Sequence, residues 1–174
     1  MAITVEARPA SLAWSDFTVL DTPIYDVNDG TSQGAVTQPN FALPDLPPRT
    51  VDGQLALADP NTITITPNAR VYKAIRQTPK LLSHEQFHYD VGIIAARALA
   101  RDLTSLRAGD LDSLKTAAIA AARLHFVTRA RPIQSKYDVD TNHGDNQHYQ
   151  KIWKDRMAKC LADPNCTEIN GMPF

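Results

Sequence analysis

The sequence has no apolar run long enough to cross a membrane, little glycine and no excess of either charge. A membrane-spanning helix needs roughly 20 predominantly apolar residues, and no such run occurs. The 174 residues include 18 Lys and Arg against 19 Asp and Glu, a net charge of −1. This balance argues against nucleic acid or an anionic membrane surface as a partner, because both attract strongly basic proteins. The first residues also lack the basic and apolar stretches of a signal peptide.

Cysteine is scarce as well, with 2 residues in the chain, Cys160 and Cys166. The segment between them contains a turn signal, Asp163 followed by Pro164 and Asn165. A small-loop disulfide would suit an oxidising compartment. Two free thiols fit the sequence equally well, so both alternatives stay open.

Proline is present in number but unevenly placed, since seven of the 12 lie in the first 60 residues. The first part of the chain, residues 1–70, is therefore predicted to form strands and loops, with a long loop at 31–48 and a strand at 61–66. The strand alternates Thr with Ile, the period expected of a half-buried strand. The back, residues 71–174, reads as helices. The length favours one domain, 1–174, of the α+β class.

The helices of the back are marked by their start and stop signals. Thr78 followed by Pro79 predicts a helix start, and the helical pattern runs from there to about Leu106. Asp110 or Asp112 is suited to cap a second helix, which Pro132 should kink or restart. Asp145 or Asn146 is suited to cap the last helix.

One motif carries chemistry, the HExxH sequence formed by His84, Glu85 and His88. It lies inside the first predicted helix, where residues four apart project from the same face. The two imidazoles can then share a zinc ion at zinc–nitrogen distances of about 2.0–2.1 Å. Glu85 is placed to accept a proton from a water that the metal activates and to pass it to a leaving group. The alternative is a solvated His pair on an amphipathic helix.

A catalytic zinc needs a third protein ligand, and the segment from Tyr137 to Gly144 offers Asp138, Asp140 and His143. His143 is favoured because imidazole is the commoner zinc ligand and reaches further. Asp140 is the alternative, and the other member of the pair would orient a ligand or stabilise the oxyanion. Gly144 would let the backbone approach the site closely. The bland alternative is a group of solvated residues at a helix end.

Other polar side chains are weaker candidates. Tyr137 and Tyr149, and with them Tyr89, could donate a hydrogen bond to an oxyanion, although packing is the favoured role of each. His125 lies in an apolar helical stretch, which favours a satisfied core histidine. His148 is expected to be exposed at a helix start.

Three groups of spaced residues together resemble a known family. The first contains Leu12, Trp14, Asp16 and Phe17; the second runs from Leu81 through the HExxH motif to Asp90 and Arg97; the third contains Tyr137, Asp138, Asp140, Thr141, His143, Gly144, Gln150 and Trp153. This set is similar to a bacterial family of predicted secreted zinc-dependent proteases, catalogued as a domain of unknown function among the zincin-like metallopeptidases. The resemblance covers roughly residues 12–155.

The resemblance implies a zincin-like fold, with a small twisted sheet over an active-site helix and a helical C-terminal half. It implies Zn²⁺ as the cofactor, peptidase activity and a peptide or protein substrate. His84 and His88 match the family's metal ligands, Glu85 its general base and His143 its His-Gly pair. The family usually has Glu where this chain has Asp140. The resemblance also implies a secreted or periplasmic protein, although the sequence shows no export signal. The oligomeric state is not indicated.

Zincins typically bind an extended substrate along an edge strand above the active-site helix. The strand Thr62–Thr66 is the candidate here, and an interior strand is the alternative. Two other functions stay open beside a peptidase. One is a catalytically inactive binding module or effector on a zincin scaffold, in which the metal is structural. The other is a zinc amidase that acts on cell-wall peptides.

Overall fold

The chain forms an α+β fold, as the sequence predicts, with strands in the first half and helices in the second. The computed structural model describes residues 3–25, 32–43 and 47–174. The strands are β1 (Thr4–Ala7), β2 (Phe17–Leu20), β3 (Ile24–Tyr25), β4 (Ser32–Gln33), β5 (Ala35–Ala42), β6 (Arg49–Val51), β7 (Gln54–Ala56), β8 (Thr62–Tyr72), β9 (Glu168–Ile169) and β10 (Met172–Pro173). The helices are α1 (Pro79–Ser105), α2 (Leu111–Arg123), α3 (Ala130–Thr141) and α4 (Gln147–Ala162).

The main sheet is mixed and is built around β8. Strands β1 and β2 pair in parallel with successive parts of one side of β8, and β5 pairs antiparallel with its other side. The remaining strands form three short antiparallel pairs, β3 with β4, β6 with β7 and β9 with β10. Because β8 is paired on both sides, its predicted role as a substrate-binding edge strand is wrong, and the interior alternative is correct.

Strand β8 is also longer than the sequence predicts, since it continues past Pro67 to Tyr72. Pro67 lies opposite Pro39 of β5, in the gap between the pairing with β1, which ends at Ile65, and the pairing with β2, which starts at Ala69. A proline lacks the N–H that a ladder bond requires. In this gap the missing N–H removes no bond to β1 or β2, so the strand runs through.

Strand β5 lies within the stretch 31–48 that the sequence suggests is a loop. Its Pro39 and several polar residues conceal the strand pattern, yet an edge strand tolerates proline because one side of its backbone is not paired. Thr31 and residues 44–46 of the same stretch lie outside the described residues. The prediction of a long loop is therefore wrong for residues 35–42.

Helix α1 begins where the sequence predicts. The hydroxyl of Thr78 accepts a hydrogen bond from the backbone N–H of Leu81, and Pro79 is the first helical residue. The helix lies between two apolar clusters and contributes to both. On the sheet side its residues pack against Ile63, Ile65 and Val71; on the other side they pack against Ile133, Tyr137, Trp153 and Met157. This position makes α1 the shared centre of the fold.

Helices α2 and α3 are joined by a π-helical turn, Leu124–Arg129. Asp110 caps α2 by accepting the N–H of Ser113. Pro132 lies in the first turn of α3, and its ring would clash with the carbonyl four residues earlier in a regular helix. The wide turn directly before it accommodates the ring, so the predicted restart at this proline is confirmed. Among the described helices, none is long and apolar enough to cross a membrane.

A disulfide joins Cys160 at the end of α4 to Cys166, which settles the pairing that the sequence left open. Two arginines of α1 fix the loop that it closes. Arg97 and Arg101 donate hydrogen bonds to the backbone carbonyl groups of Leu161, Pro164 and Cys166. The C-terminal segment is thereby attached to the same helix that carries the HExxH motif.

Gly92 sets how closely β5 lies on α1. A Cβ atom added at this position would overlap the ring of Pro39. Replacing a helical Gly with Ala normally stabilises a protein by up to about 1 kcal/mol. For Gly92→Ala we expect the opposite sign, a loss of about 1–2 kcal/mol in the free energy of unfolding, because overpacking outweighs the gain in helix propensity. Urea unfolding measures this change.

Gly109→Ala is the matched control, since an added Cβ there meets nothing within 4 Å. We expect its stability to stay within about 0.5 kcal/mol of the parent. A Gly92→Ala protein as stable as the parent would show that β5 can shift away from α1 at no cost.

Candidate metal centre

The HExxH motif lies in the buried face of α1, as predicted. His84, Glu85 and His88 are all buried, and the Nε2 atoms of the two imidazoles lie 3.3 Å apart. The spacing of four residues puts both rings on one face of the helix, one turn apart. The two nitrogens therefore point to a common position.

Asp138 of α3 brings a carboxylate to the same position. Its Oδ1 atom lies 3.1 Å from Nε2 of His84 and 3.0 Å from Nε2 of His88. Among the described residues, these three form the group of His, Cys, Asp and Glu side chains whose ligand atoms come together. The structure thus completes the HExxH pair with an aspartate.

The separations of these atoms fit a tetrahedral metal. Ligand atoms at zinc distances of about 2.0–2.1 Å in a tetrahedral site lie about 3.3–3.4 Å from one another, close to the observed 3.0, 3.1 and 3.3 Å. Oδ1 of Asp138 is buried and has no well-directed hydrogen bond, although two ring nitrogens lie beside it. Atoms that are close together but not aimed at one another are typical of ligands that converge on an ion. The group could hold a metal ion.

Burial and the charges of the neighbouring side chains shift the pKa of each of the three residues. Burial alone would lower the pKa of His88, but the charge of Asp138 and its contact with the ring outweigh burial and raise this pKa to about 9. Burial would raise the pKa of Asp138, but the charge of His88 and the contacts with both rings hold it well below its usual range. The pKa of His84 is lowered, mainly by burial. Without a metal, the group is an ion pair between His88 and Asp138 with a neutral His84 beside it.

Glu85 lies next to this group without belonging to it. It is 2% exposed, and burial raises its pKa to about 7, against the opposing effects of the His88 charge and the Thr37 hydroxyl. Its Oε2 atom is buried and has no hydrogen-bond partner. A carboxylate in this state takes up and releases a proton near neutral pH, which suits a general base.

Asp140 and His143, the two residues that the sequence suggested as third ligand, lie elsewhere. The carboxylate of Asp140 accepts hydrogen bonds from Nε1 of Trp153 and Nζ of Lys136, at 3.0 Å each. His143 is exposed and lines the cleft beside the metal group, but it is not a member of the group. The structure offers Asp138 in place of both.

The end of α3 explains why the predicted pairing of Asp140 with His143 fails. The helix ends at Thr141, and the next three residues, Asn142, His143 and Gly144, have positive φ angles of 48°, 52° and 89°. The chain turns back there, so residues three apart no longer share a face. An added Cβ at Gly144 would lie 3.2 Å from the His84 ring. The predicted close approach of the backbone at this glycine is therefore confirmed.

The tyrosines have structural contacts. Tyr137 is fully buried, and its ring stacks on His84 and on Phe87 with centroid distances of 4.8 and 3.8 Å. A side chain so placed packs against the His84 ring, and its buried hydroxyl has no hydrogen-bond partner among the described residues. Its role as an oxyanion donor stays a prediction. Tyr89 donates to the carbonyl of Ile65. Tyr149 is exposed on the first turn of α4 and does not line the cleft.

The two remaining histidines follow the predictions. His125 is buried as expected of a core histidine, and its Nε2 atom lies 2.7 Å from a carboxylate oxygen of Asp102, while its Nδ1 atom has no hydrogen-bond partner among the described residues. His148 is exposed in the first turn of α4. Neither residue lies near the metal group.

The metal group opens into a cleft of about 1210 Å³. Strand β5 forms one wall, α1 forms the floor with His84, Glu85 and His88, and α3 with the π-helical turn forms the other wall. Phe41 of β5 stacks on Phe126 of the π-helical turn, with ring centroids 4.3 Å apart. The two walls meet at this stack, which closes one end of the cleft.

Comparison of the chain with models of protein families, with curated proteins and with solved structures finds no match. The assignment of a function therefore depends on the residues and on their arrangement.

Proposed function

We propose that the protein is a zinc-dependent hydrolase that cleaves peptide bonds. The observation that carries this proposal is the convergence of His84, His88 and Asp138 within 3.0–3.3 Å of one another at the floor of an open cleft. The buried Oε2 atom of Glu85, which has no hydrogen-bond partner, lies beside them. Three protein ligands and an adjacent Glu are the composition of catalytic zinc sites in hydrolases. A structural site would normally supply four ligands.

His84, His88 and Asp138 would hold the ion. A zinc ion in such a site acts as a Lewis acid, which makes hydroxide available near neutral pH and polarises a carbonyl group. The stacking of Tyr137 on His84 fixes the ring that must face the ion. Gln134, one turn before Asp138 on α3, lines the same cleft as His88.

Glu85 moves the proton. Its carboxylate accepts a proton from the attacking water and delivers it to the nitrogen of the leaving amine. A pKa of about 7 suits both steps, because the protonated and the deprotonated forms are then both available at neutral pH. Burial of Glu85 keeps competing water away from this carboxylate.

Strand β5 favours a peptide over other substrates. Within the described part of the chain, β5 pairs on one side alone, with β8, and its residues line the cleft. An extended peptide can pair with such a free edge through main-chain hydrogen bonds. In this proposal β5, and not Thr62–Thr66, is the zincin-like edge strand that binds the substrate.

The proposal is tested with the full chain. We expect one zinc ion per protein by elemental analysis after incubation with zinc and removal of the excess. We also expect hydrolysis of an unfolded protein substrate that a chelator abolishes and added zinc restores. Zinc bound without hydrolysis would indicate a binding module, and hydrolysis insensitive to the chelator would exclude a metal mechanism.

A further inference from the structure

The cleft carries a positive charge at a fixed distance from the metal group. Arg131 lines the wall formed by α3, and it is the one Lys or Arg among the cleft-lining residues that the structure describes. No hydrogen bond or ion pair joins it to another described residue. The guanidinium is therefore free to bind a ligand in the cleft.

The position of Arg131 follows from the helix. Asp138 and Arg131 are seven residues apart on α3, so they lie on the same face, separated by about 10 Å along the helix axis. Gln134 lies between them and lines the same cleft. Moving along this face from Asp138 to Arg131 leads from the metal group towards the closed end of the cleft.

Arg131 is exposed, and the cleft wall near it includes apolar side chains. Val127 precedes Arg131 by one helical turn and is 37% exposed, and Phe126 stacks on Phe41, which is 39% exposed. These side chains line the cleft together with Arg131.

We propose that Arg131 is a specificity-determining residue that binds a carboxylate of the substrate, about three residues from the bond that is cleaved. An extended peptide advances about 3.3 Å per residue, so about 10 Å corresponds to three residues. This inference depends on the proposed function and adds the substrate class, a peptide with an acidic group at that position. The acidic group is either an Asp or Glu side chain or a free terminal carboxylate.

The experiment uses the zinc-loaded full chain and a set of eight-residue peptides. One Glu is moved through the peptide, one position at a time, with Gln at the same position as the reference. We expect kcat/KM to rise about tenfold for Glu over Gln at one position, about three residues from the cleaved bond, since a charge-assisted hydrogen bond gives a factor of this size. Peptides that end at that position, as free acids and as amides, distinguish a terminal carboxylate from a side chain.

Substitutions then assign the effect to Arg131. In Arg131→Gln the ratio of Glu to Gln peptides should fall to about one, and in Arg131→Glu a Lys peptide should be favoured at the same position. Arg123→Gln is the matched control, because Arg123 is an exposed arginine of α2 outside the cleft. It should keep the tenfold ratio.

Binding of the labelled peptides to the zinc-loaded Glu85→Gln protein gives the same ratio without hydrolysis. A ratio near one at every position in the unmodified protein, or a ratio that survives Arg131→Gln, overturns the proposal. Hydrolysis with no preference for an acidic residue would agree with the proposed function and contradict the proposed role of Arg131. If the protein hydrolyses no peptide but its preference for binding Glu peptides depends on Arg131, the proposed peptidase activity is wrong and the carboxylate-binding role of Arg131 is supported.

Discussion

Asp138→Ala is expected to lose most of the bound zinc. Asp138 supplies the third ligand atom, 3.0–3.1 Å from both imidazole nitrogens. Loss of a contact behind a metal ligand costs about 10–100-fold in affinity, so removal of the ligand itself should cost at least about 100-fold. A competition titration with a zinc-sensitive dye measures this change. Circular dichroism should show an intact fold, because the Tyr137 stack does not involve Asp138.

Two neighbouring substitutions serve as controls for this loss. Asp140→Ala breaks the hydrogen bond to Trp153 and should lower stability by about 1 kcal/mol, but it should leave zinc affinity near that of the parent. His143→Ala should also retain zinc, since His143 is outside the group. If Asp138→Ala retained zinc and His143→Ala lost it, the third ligand would be His143, as the sequence favoured.

Glu85→Gln is expected to keep the zinc and to abolish most of the hydrolysis. The amide has nearly the same shape as the carboxylate but cannot accept the proton. General acid–base catalysis contributes about 10²–10⁴-fold, and kcat should fall by a factor in this range. Steady-state kinetics on the zinc-loaded protein measures it, with elemental analysis of the same sample to show equal zinc content.

Glu168→Gln provides the control for this prediction, since Glu168 is an exposed residue of β9. Its kcat should equal that of the parent. If the Glu85→Gln protein retained full activity with zinc bound, Glu85 could not be the group that moves the proton, and the hydrolytic mechanism described above would be wrong.

Two of the three side chains of the candidate metal site, and the proposed general base, were predictable from sequence because the HExxH motif is local. A helix places residues four apart on one face whatever surrounds it, so His84 and His88 meet without help from the rest of the chain. The helix start at Thr78 and Pro79 is local in the same way. The α+β division followed from the uneven distribution of proline.

Asp138, the third side chain of the candidate site, was not predictable from local pattern. Tyr137 lies in the buried stripe of α3, and Asp138 and Asp140 flank this stripe on opposite sides, about 160° apart at 100° per residue. One side faces the histidines of α1, and the other faces Trp153 of α4. Which of the two carboxylates faces the histidines depends on how α1, α3 and α4 pack together. The spacing of residues within α3 does not show this packing.

Strand β5 was missed for a related reason. Its Pro39 and polar residues do not show the alternation of a buried strand. Its pairing partner, Thr64–Val71 of β8, is more than 20 residues away in the sequence, so no short-range pattern marks the pairing. The paired prolines 39 and 67 tolerate each other because neither has an N–H to place. A search for prolines that could face each other in two strands would have given a signal.

The stack of Tyr137 on His84 and Phe87 has a consequence for the order of assembly. The ring that fixes His84 belongs to the apolar cluster between the helices, and Asp138 follows Tyr137 directly in the chain. Packing of the helical layer therefore already places two of the side chains that the proposed site needs. We expect the proposed zinc ion to bind a preformed site, so that its removal leaves the helical layer intact.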